Sequence, residues 1–168
     1  MVKYIEQYQG GLREIAAATN GGESDANRIP QLDTNGRLKE AMLPTGIGAE
    51  VKILEASEAL SAGNFVNIWD DAGTLKARKA DASADKPAHG YVLAAVNEAE
   101  SATVFCDGIN DQLSGLTGGP RMFLSAATPG AATGTPPAGS GDIVQVLGTR
   151  LSAPELAFVP DMTTIKLA

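Results

Sequence analysis

Beyond residue 50 the large apolar residues come in short clusters separated by turn chemistry. The clusters fall at 51–55, 65–69, 75–79, 91–96, 102–106, 121–124, 142–147, 155–159 and 164–167. Most are rich in β-branched and aromatic side chains, which suit a pleated, half-buried surface. Between them stand Ala62-Gly63-Asn64, Asp70-Asp71-Ala72-Gly73, Asp107-Gly108, Gly118-Gly119-Pro120 and Gly139-Ser140-Gly141. Gly and Asn accept positive φ there, and Pro presets a turn. No stretch in this half keeps a helical apolar stripe over three turns. The pattern predicts a mainly β fold, a β-barrel or β-sandwich, over residues 51–168. Residues 126–142 contain no large apolar side chain and read as a surface loop with nothing to bury.

Residues 1–50 behave differently. Gly10-Gly11, Asn20-Gly21-Gly22 and Asn35-Gly36 interrupt the segment, and its apolar residues fit neither period. The stretch 12–18 has the composition for two helical turns, too short to stand alone in water. In that case Tyr4, Tyr8, Leu12 and Ile15 form one face. If the chain is extended instead, Tyr4, Glu6 and Tyr8 share a face, and residues 2–8 suit addition to a sheet edge. The run 32–38 reads as a tight reversal at Asn35-Gly36. Residues 38–43 suit a single helical turn stopped by Pro44. The expectation is an extended N-terminal arm with at most short helical turns. Such an arm cannot make its own core, so its apolar residues need a surface from elsewhere. Tyr4, Ile5, Tyr8, Leu12 and Ile15 are the candidate anchors. Ile29, Leu32, Leu38, Met42, Leu43 and Ile47 are thinly spaced, and the surface they need is the β domain, a sister subunit or another protein.

Charge narrows the partners. Thirteen Lys and Arg against 20 Asp and Glu give the 168-residue chain a net charge of −7. The acidity is spread along the chain, and no basic stripe exists to meet a phosphate backbone, so no nucleic-acid partner is expected. No apolar run approaches the ~18 residues of a membrane span, so no membrane partner is expected. The start, MVKYIEQYQGG, does not read as a secretory signal.

Catalytic chemistry is hard to assemble from this inventory. There is one His, His89, and one Cys, Cys106. A single Cys forbids an intrachain disulfide framework and a multi-thiolate metal site. A Cys106–His89 nucleophilic pair would need a meeting in space and an orienting third group. Asp70, Asp71, Asp81 and Asp85 do not fit the spacing of a calcium loop. The run 107–111 reads first as a polar turn between strands. No phosphate-cradling glycine motif is present. The expectations are no enzyme activity, no catalytic or metal-ligating residues and no cofactor. Trp69 reads as a core or rim aromatic, with an interface anchor as the functional alternative.

Three stretches resemble a family of small tailed-phage virion proteins, the head decoration (cement) or head-fibre proteins. One runs from Asp33-Thr34-Asn35-Gly36-Arg37-Leu38 to Met42-Leu43-Pro44-Thr45-Gly46-Ile47-Gly48. The second is Gly63-Asn64-Phe65-Val66-Asn67-Ile68, followed by 79–82 and His89-Gly90-Tyr91-Val92-Leu93. The third is Leu113-Ser114-Gly115-Leu116-Thr117 with Phe123-Leu124-Ser125, Thr128-Pro129-Gly130 and Gln145-Val146-Leu147-Gly148-Thr149. At Thr117-Gly118-Gly119-Pro120 the chain departs from the Thr-Pro-Gly form of the family.

The resemblance implies a homotrimer on the outer surface of a phage capsid, made in the host cytoplasm and bound to the major capsid protein. Residues 1–50 would attach and make trimer contacts, with Tyr4, Ile5, Tyr8, Leu12 and Ile15 against the capsid and Ile29, Leu32, Leu38, Met42, Leu43 and Ile47 in the trimer seam, and residues 51–168 would form the decoration domain. Its role would be to stabilise the shell against internal pressure by bridging capsid subunits. The alternative is a phage fibre or spike module that binds a host surface receptor, with Trp69 or the 126–142 loop as reader.

Overall fold

In a computed structural model the chain divides into two compact units, Met1–Gly48 and Ala49–Ala168. The structure describes residues 3–18, 28–32, 34, 36–38, 42, 50–159, 161 and 163–168, without the side chain of Tyr8. The fold is mainly β. The first unit contains β1 (Lys3–Tyr8) and β2 (Gly11–Ala16), paired antiparallel from Lys3↔Ala16 to Tyr8↔Gly11.

The second unit opens with β3 (Val51–Ala56), β4 (Phe65–Asp71), β5 (Thr74–Lys79), β6 (Gly90–Tyr91) and β7 (Ser101–Phe105). These close into a barrel in the order β3-β5-β4-β6-β7. The β3–β5 junction is parallel, and the other pairs are antiparallel. Next come β8 (Gly108–Asn110), β9 (Arg121–Leu124), β10 (Ala132–Thr133), β11 (Ile143–Val144), β12 (Val146–Arg150), β13 (Leu156–Phe158) and β14 (Ile165–Lys166). A five-stranded sheet runs β10-β9-β12-β13-β8, and β11 pairs with β14.

Two cores follow from strict alternation along the barrel strands. Leu54, Ala56, Leu60, Val66, Ala77, Val92, Ala102 and Val104 pack together as one cluster. A five-stranded barrel is narrow, and small side chains fill its interior, which uses part of the chain's alanine. The neighbouring residues Phe65 and Tyr91 point the other way. They join Met122, Leu124, Leu147, Leu156 and Phe158 of the second sheet in the other cluster. Their rings pack obliquely or edge-on: Phe65–Phe158 centroids are 5.6 Å apart and Tyr91–Phe158 5.8 Å. Burial on both faces is why Phe65-Val66 and Tyr91-Val92 read as unbroken apolar runs.

Several expectations change in detail. Residues 11–16 form a strand, not helical turns. Gln9 (φ 48°) and Gly10 (φ 81°) both take positive φ, as a two-residue type I′ turn requires, and that turn closes a hairpin. The 91–96 run ends as a strand after Tyr91; the chain bends at Leu93 and Val96 bridges to Leu60. The 142–147 run is broken at Gln145, whose side chain turns inward. The 126–142 stretch is not wholly a surface loop. Ala132–Thr133 pairs with β9, and Gly130 is buried. There it is the backbone that is buried: Gly130 N–H donates to Ala80 O at 2.7 Å, and its carbonyl accepts from Phe65 N–H at 2.8 Å. A β-bulge between Val146 and Gly148 re-aims β12. Gly148 sits at φ 143°, where any Cβ would overlap the Ala157 carbonyl.

Candidate functional site

The hairpin of the first unit sorts its side chains by alternation and register. Lys3, Ile5 and Gln7 lie opposite Ala16, Glu14 and Leu12, so these six share one face. Tyr4 and Glu6 lie opposite Ile15 and Arg13 on the other. The first face is open: Ile5 is 71% exposed and Leu12 77%. An ion pair borders it, with Lys3 Nζ 2.9 Å from Glu14 Oε2. On the second face Tyr4 and Ile15 are half-buried, and Arg13 pairs with Glu6 at 2.8 Å. Residues 28–32 form a strap tied to this hairpin. Ala18 N–H donates to Ile29 O at 3.0 Å, Gln31 N–H donates to Ala18 O at 2.9 Å, and Ile29 N–H donates to the Tyr4 hydroxyl at 3.3 Å.

The five candidate anchors are therefore not one surface. Ile5 and Leu12 are diagonal neighbours on the exposed face, whereas Tyr4 and Ile15 belong to the face that meets the strap. The helical grouping of Leu12 with Tyr4 and Ile15 fails because a three-residue separation puts strand side chains on opposite sides. The Tyr8 side chain lies outside the described residues. Of the residues expected between copies, Ile29, Leu32 and Leu38 are exposed and Met42 is half-buried. Leu43 and Ile47 lie outside the described residues. The alternation 3-5-7 against 12-14-16 is visible in the sequence once a turn is placed at Gln9-Gly10.

On the second unit, Trp69 is a rim aromatic. Its Nε1 donates to Ser57 Oγ at 3.2 Å, and the Arg78 guanidinium carbon lies 4.6 Å from its ring centroid. Arg78 Nε in turn donates to Asn67 Oδ1 at 2.9 Å. Lys76 bridges Glu55 and Asp71 at 3.0 and 2.9 Å, and its pKa is raised first by the bond to Asp71 and then by that to Glu55.

The residues weighed for chemistry are held separately. Ile68 N–H donates to His89 Nδ1 at 2.9 Å, and burial pushes this imidazole below its ordinary pKa of 6.5. Cys106 is a free thiol pushed up by burial and by the nearby Glu50 and Asp107 charges, so its thiolate is disfavoured. No hydrogen bond joins Cys106 to His89. Burial, with Asp107 and Asp111 nearby, pushes the Tyr91 phenol up to about 12, and its hydroxyl donates to Asp107 O at 3.1 Å. Asp70 accepts from Gly73 N–H, Asp81 from Ser83 N–H and Asp85 from Lys166 Nζ. Among the described residues no group of three or more His, Cys, Asp or Glu converges as metal ligands would. Among the described residues no helix is long and apolar enough to cross a membrane.

The barrel seam carries a feature that sequence reasoning missed. Ala56 N–H donates to Glu100 O, and Cys106 N–H to Glu50 O. Antiparallel pairs alternate, so Ala102 and Val104 bond to β3 while Ser101, Thr103 and Phe105 direct their N–H and C=O the other way. On that side only Phe105 meets β6, opposite Tyr91. Among the described residues the edge at Ser101 and Thr103 has no further backbone partner, and it borders a groove of ≈ 410 Å³ walled by 93–96.

No family model, curated protein or solved structure matches the chain.

Proposed function

We propose that this protein decorates the outer surface of a tailed-phage head, attached through its N-terminal unit. It does so as a homotrimer that bridges subunits of the major capsid protein. The observation that carries this reading is the open face of the β1–β2 hairpin. A two-stranded hairpin is marginal by itself in water, yet this one turns Ile5 and Leu12 outward. Both lose that exposure, and the hairpin gains support, when the face meets a larger surface. Ile29, Leu32 and Leu38 extend the exposed apolar character of this unit. The resemblance in the three stretches quoted above supplies the identity of that surface.

A molecule that touches two or more shell subunits adds free energy only to the closed lattice. Three linked attachments also raise the effective concentration of each, so modest single contacts suffice. The receptor-reading alternative has less support at Trp69, where the Arg78 guanidinium already sits over the indole. The test is to delete residues 1–18 and mix the product with shells that lack this protein. Sedimentation of the full chain should give a trimer mass that co-pellets with shells. The truncated chain should remain folded and stay in the supernatant. Retained co-pelleting would remove the hairpin from the attachment role.

A further inference from the structure

The far end of the second sheet holds a cation to which no described residue supplies a counter-charge. Arg150 closes β12 and is half-buried. Its main-chain N–H donates to Pro120 O at 2.7 Å, and Nη1 donates to Leu116 O at 3.0 Å. Both acceptors are neutral carbonyls. Among the described residues no carboxylate pairs with this guanidinium. The acid closest in sequence, Glu155, is engaged elsewhere: Ser152 Oγ donates to its Oε2 at 2.9 Å, and Leu151 N–H donates to its main-chain oxygen at 2.9 Å. A guanidinium has five donors in a planar fork, so most of this one remains available. A charge taken partly out of water and left unpaired is unfavourable, and a carboxylate arriving from outside relieves it.

The surroundings suit such a visitor. Arg150, Leu151 and Ser152 form one side of a groove of ≈ 380 Å³, and Gly118, Gly119 and Pro120 form the other. Neither Gly118 N–H nor Gly119 N–H has an acceptor among the described residues. A Cβ built on Gly119 meets nothing within 4 Å, so the space before it is open. Leu151, 54% exposed, and Pro120 add apolar surface at the rim.

We propose that this groove is a carboxylate-binding subsite, in which Arg150 and the Gly118–Gly119 amides hold an Asp or Glu side chain of a protein partner. The net charge of −7 repels polyanions at a distance, so a single carboxylate fits better than a phosphate chain. The apolar rim favours a peptide, whose neighbouring side chain rests on Leu151, over an acidic sugar. This inference is independent of what the hairpin grips.

The test is an amide NMR titration of the full-length ¹⁵N-labelled protein with N-acetyl-Glu-Leu-amide. N-acetyl-Gln-Leu-amide, inorganic phosphate and N-acetylneuraminic acid are run in parallel. The Glu peptide should give saturable shifts at Gly118, Gly119 and the Arg150 Nε–H, about tenfold tighter than the Gln peptide. Arg150→Gln should abolish the shifts. Because Arg150 also braces the Leu116 carbonyl, Glu155→Gln is the second variant; removal of that nearby negative charge should tighten the Glu peptide. Equal response to the Glu and Gln peptides would overturn the proposal. So would stronger binding of phosphate or N-acetylneuraminic acid, shifts that persist in a folded Arg150→Gln, or no tightening in Glu155→Gln.

Discussion

Gln145, Asn110 and Asn67 are buried amides that stand in for missing backbone pairs. Gln145 is the most heavily used. Its Oε1 accepts from Ala88 N–H at 2.7 Å, and its Nε2 donates to Ala88 O at 2.9 Å and Asp161 O at 3.0 Å. It ties the chain at Ala88, just before β6, to the second sheet as a strand neighbour would. Gln145→Leu leaves the N–H and C=O of fully buried Ala88 without partners, while the carbonyl of exposed Asp161 can turn to water. Each unsatisfied group costs about 1–3 kcal/mol, so a loss of roughly 2 kcal/mol or more is expected in urea unfolding. A change within a few tenths would mean that water replaces the amide. His89 gives a second expectation at this scale. Its folded pKa lies below 6.5 because of burial, and the Ile68 N–H occupies the nitrogen that a proton would take. Between the depressed folded value and about 6.5 the unfolded chain binds more protons, so stability rises with pH there. The contribution is full above about pH 6.5 and lost as pH falls through the folded value. Urea midpoints at pH 7.5 and 5 should differ in that sense, and His89→Gln should flatten the difference.

Among elements, β7 makes the sharpest expectation. Ala102 and Val104 bond into β3, while Ser101 and Thr103 face the open seam. Hydrogen exchange on the dilute protein should show Ser101 and Thr103 amides exchanging about tenfold or more faster than their two neighbours. Equal protection would mean that another strand covers this edge. The strands themselves were legible from their clusters, because β-branched and aromatic runs between glycine turns have few alternatives. Their lengths were less so. The 91–96 run looks like one strand because apolar residues serve a strand and a bend equally well. The bend after Val92 is fixed by pairing of Val96 with Leu60, a long-range choice that no local pattern encodes. The hairpin was half-legible: Tyr4 and Glu6 alternate as expected of an extended chain, but Gln9-Gly10 is a weaker turn signal than Asn-Gly, so a helical reading of 12–18 competed. The Arg150 groove was not legible at all, since Gly118 and Arg150 are brought together only by the pairing of β9 with β12.

For the whole molecule, the division into two units separates the buried cores from the exposed hairpin face proposed for attachment. The barrel core and the inter-sheet core are built from residues of the second unit. Ile5 and Leu12 belong to neither, so their replacement has little folding energy to remove. Burial of each against a partner is worth about 1.5–3 kcal/mol. Aspartate at both positions removes that gain and adds charges that must be desolvated on docking. The exposed Lys3–Glu14 pair beside them contributes little, because solvent screens it. Ile5→Asp/Leu12→Asp should therefore weaken shell binding by about 100-fold or more per attachment, and linkage of three attachments should steepen the loss. Lys3→Gln should leave binding near that of the parent chain. Thermal melting of the second unit should be unchanged in both variants. Co-pelleting with shells at graded concentration, together with a melting curve, separates the outcomes. If the double aspartate variant binds like the parent, the open face of the hairpin is not what meets the shell.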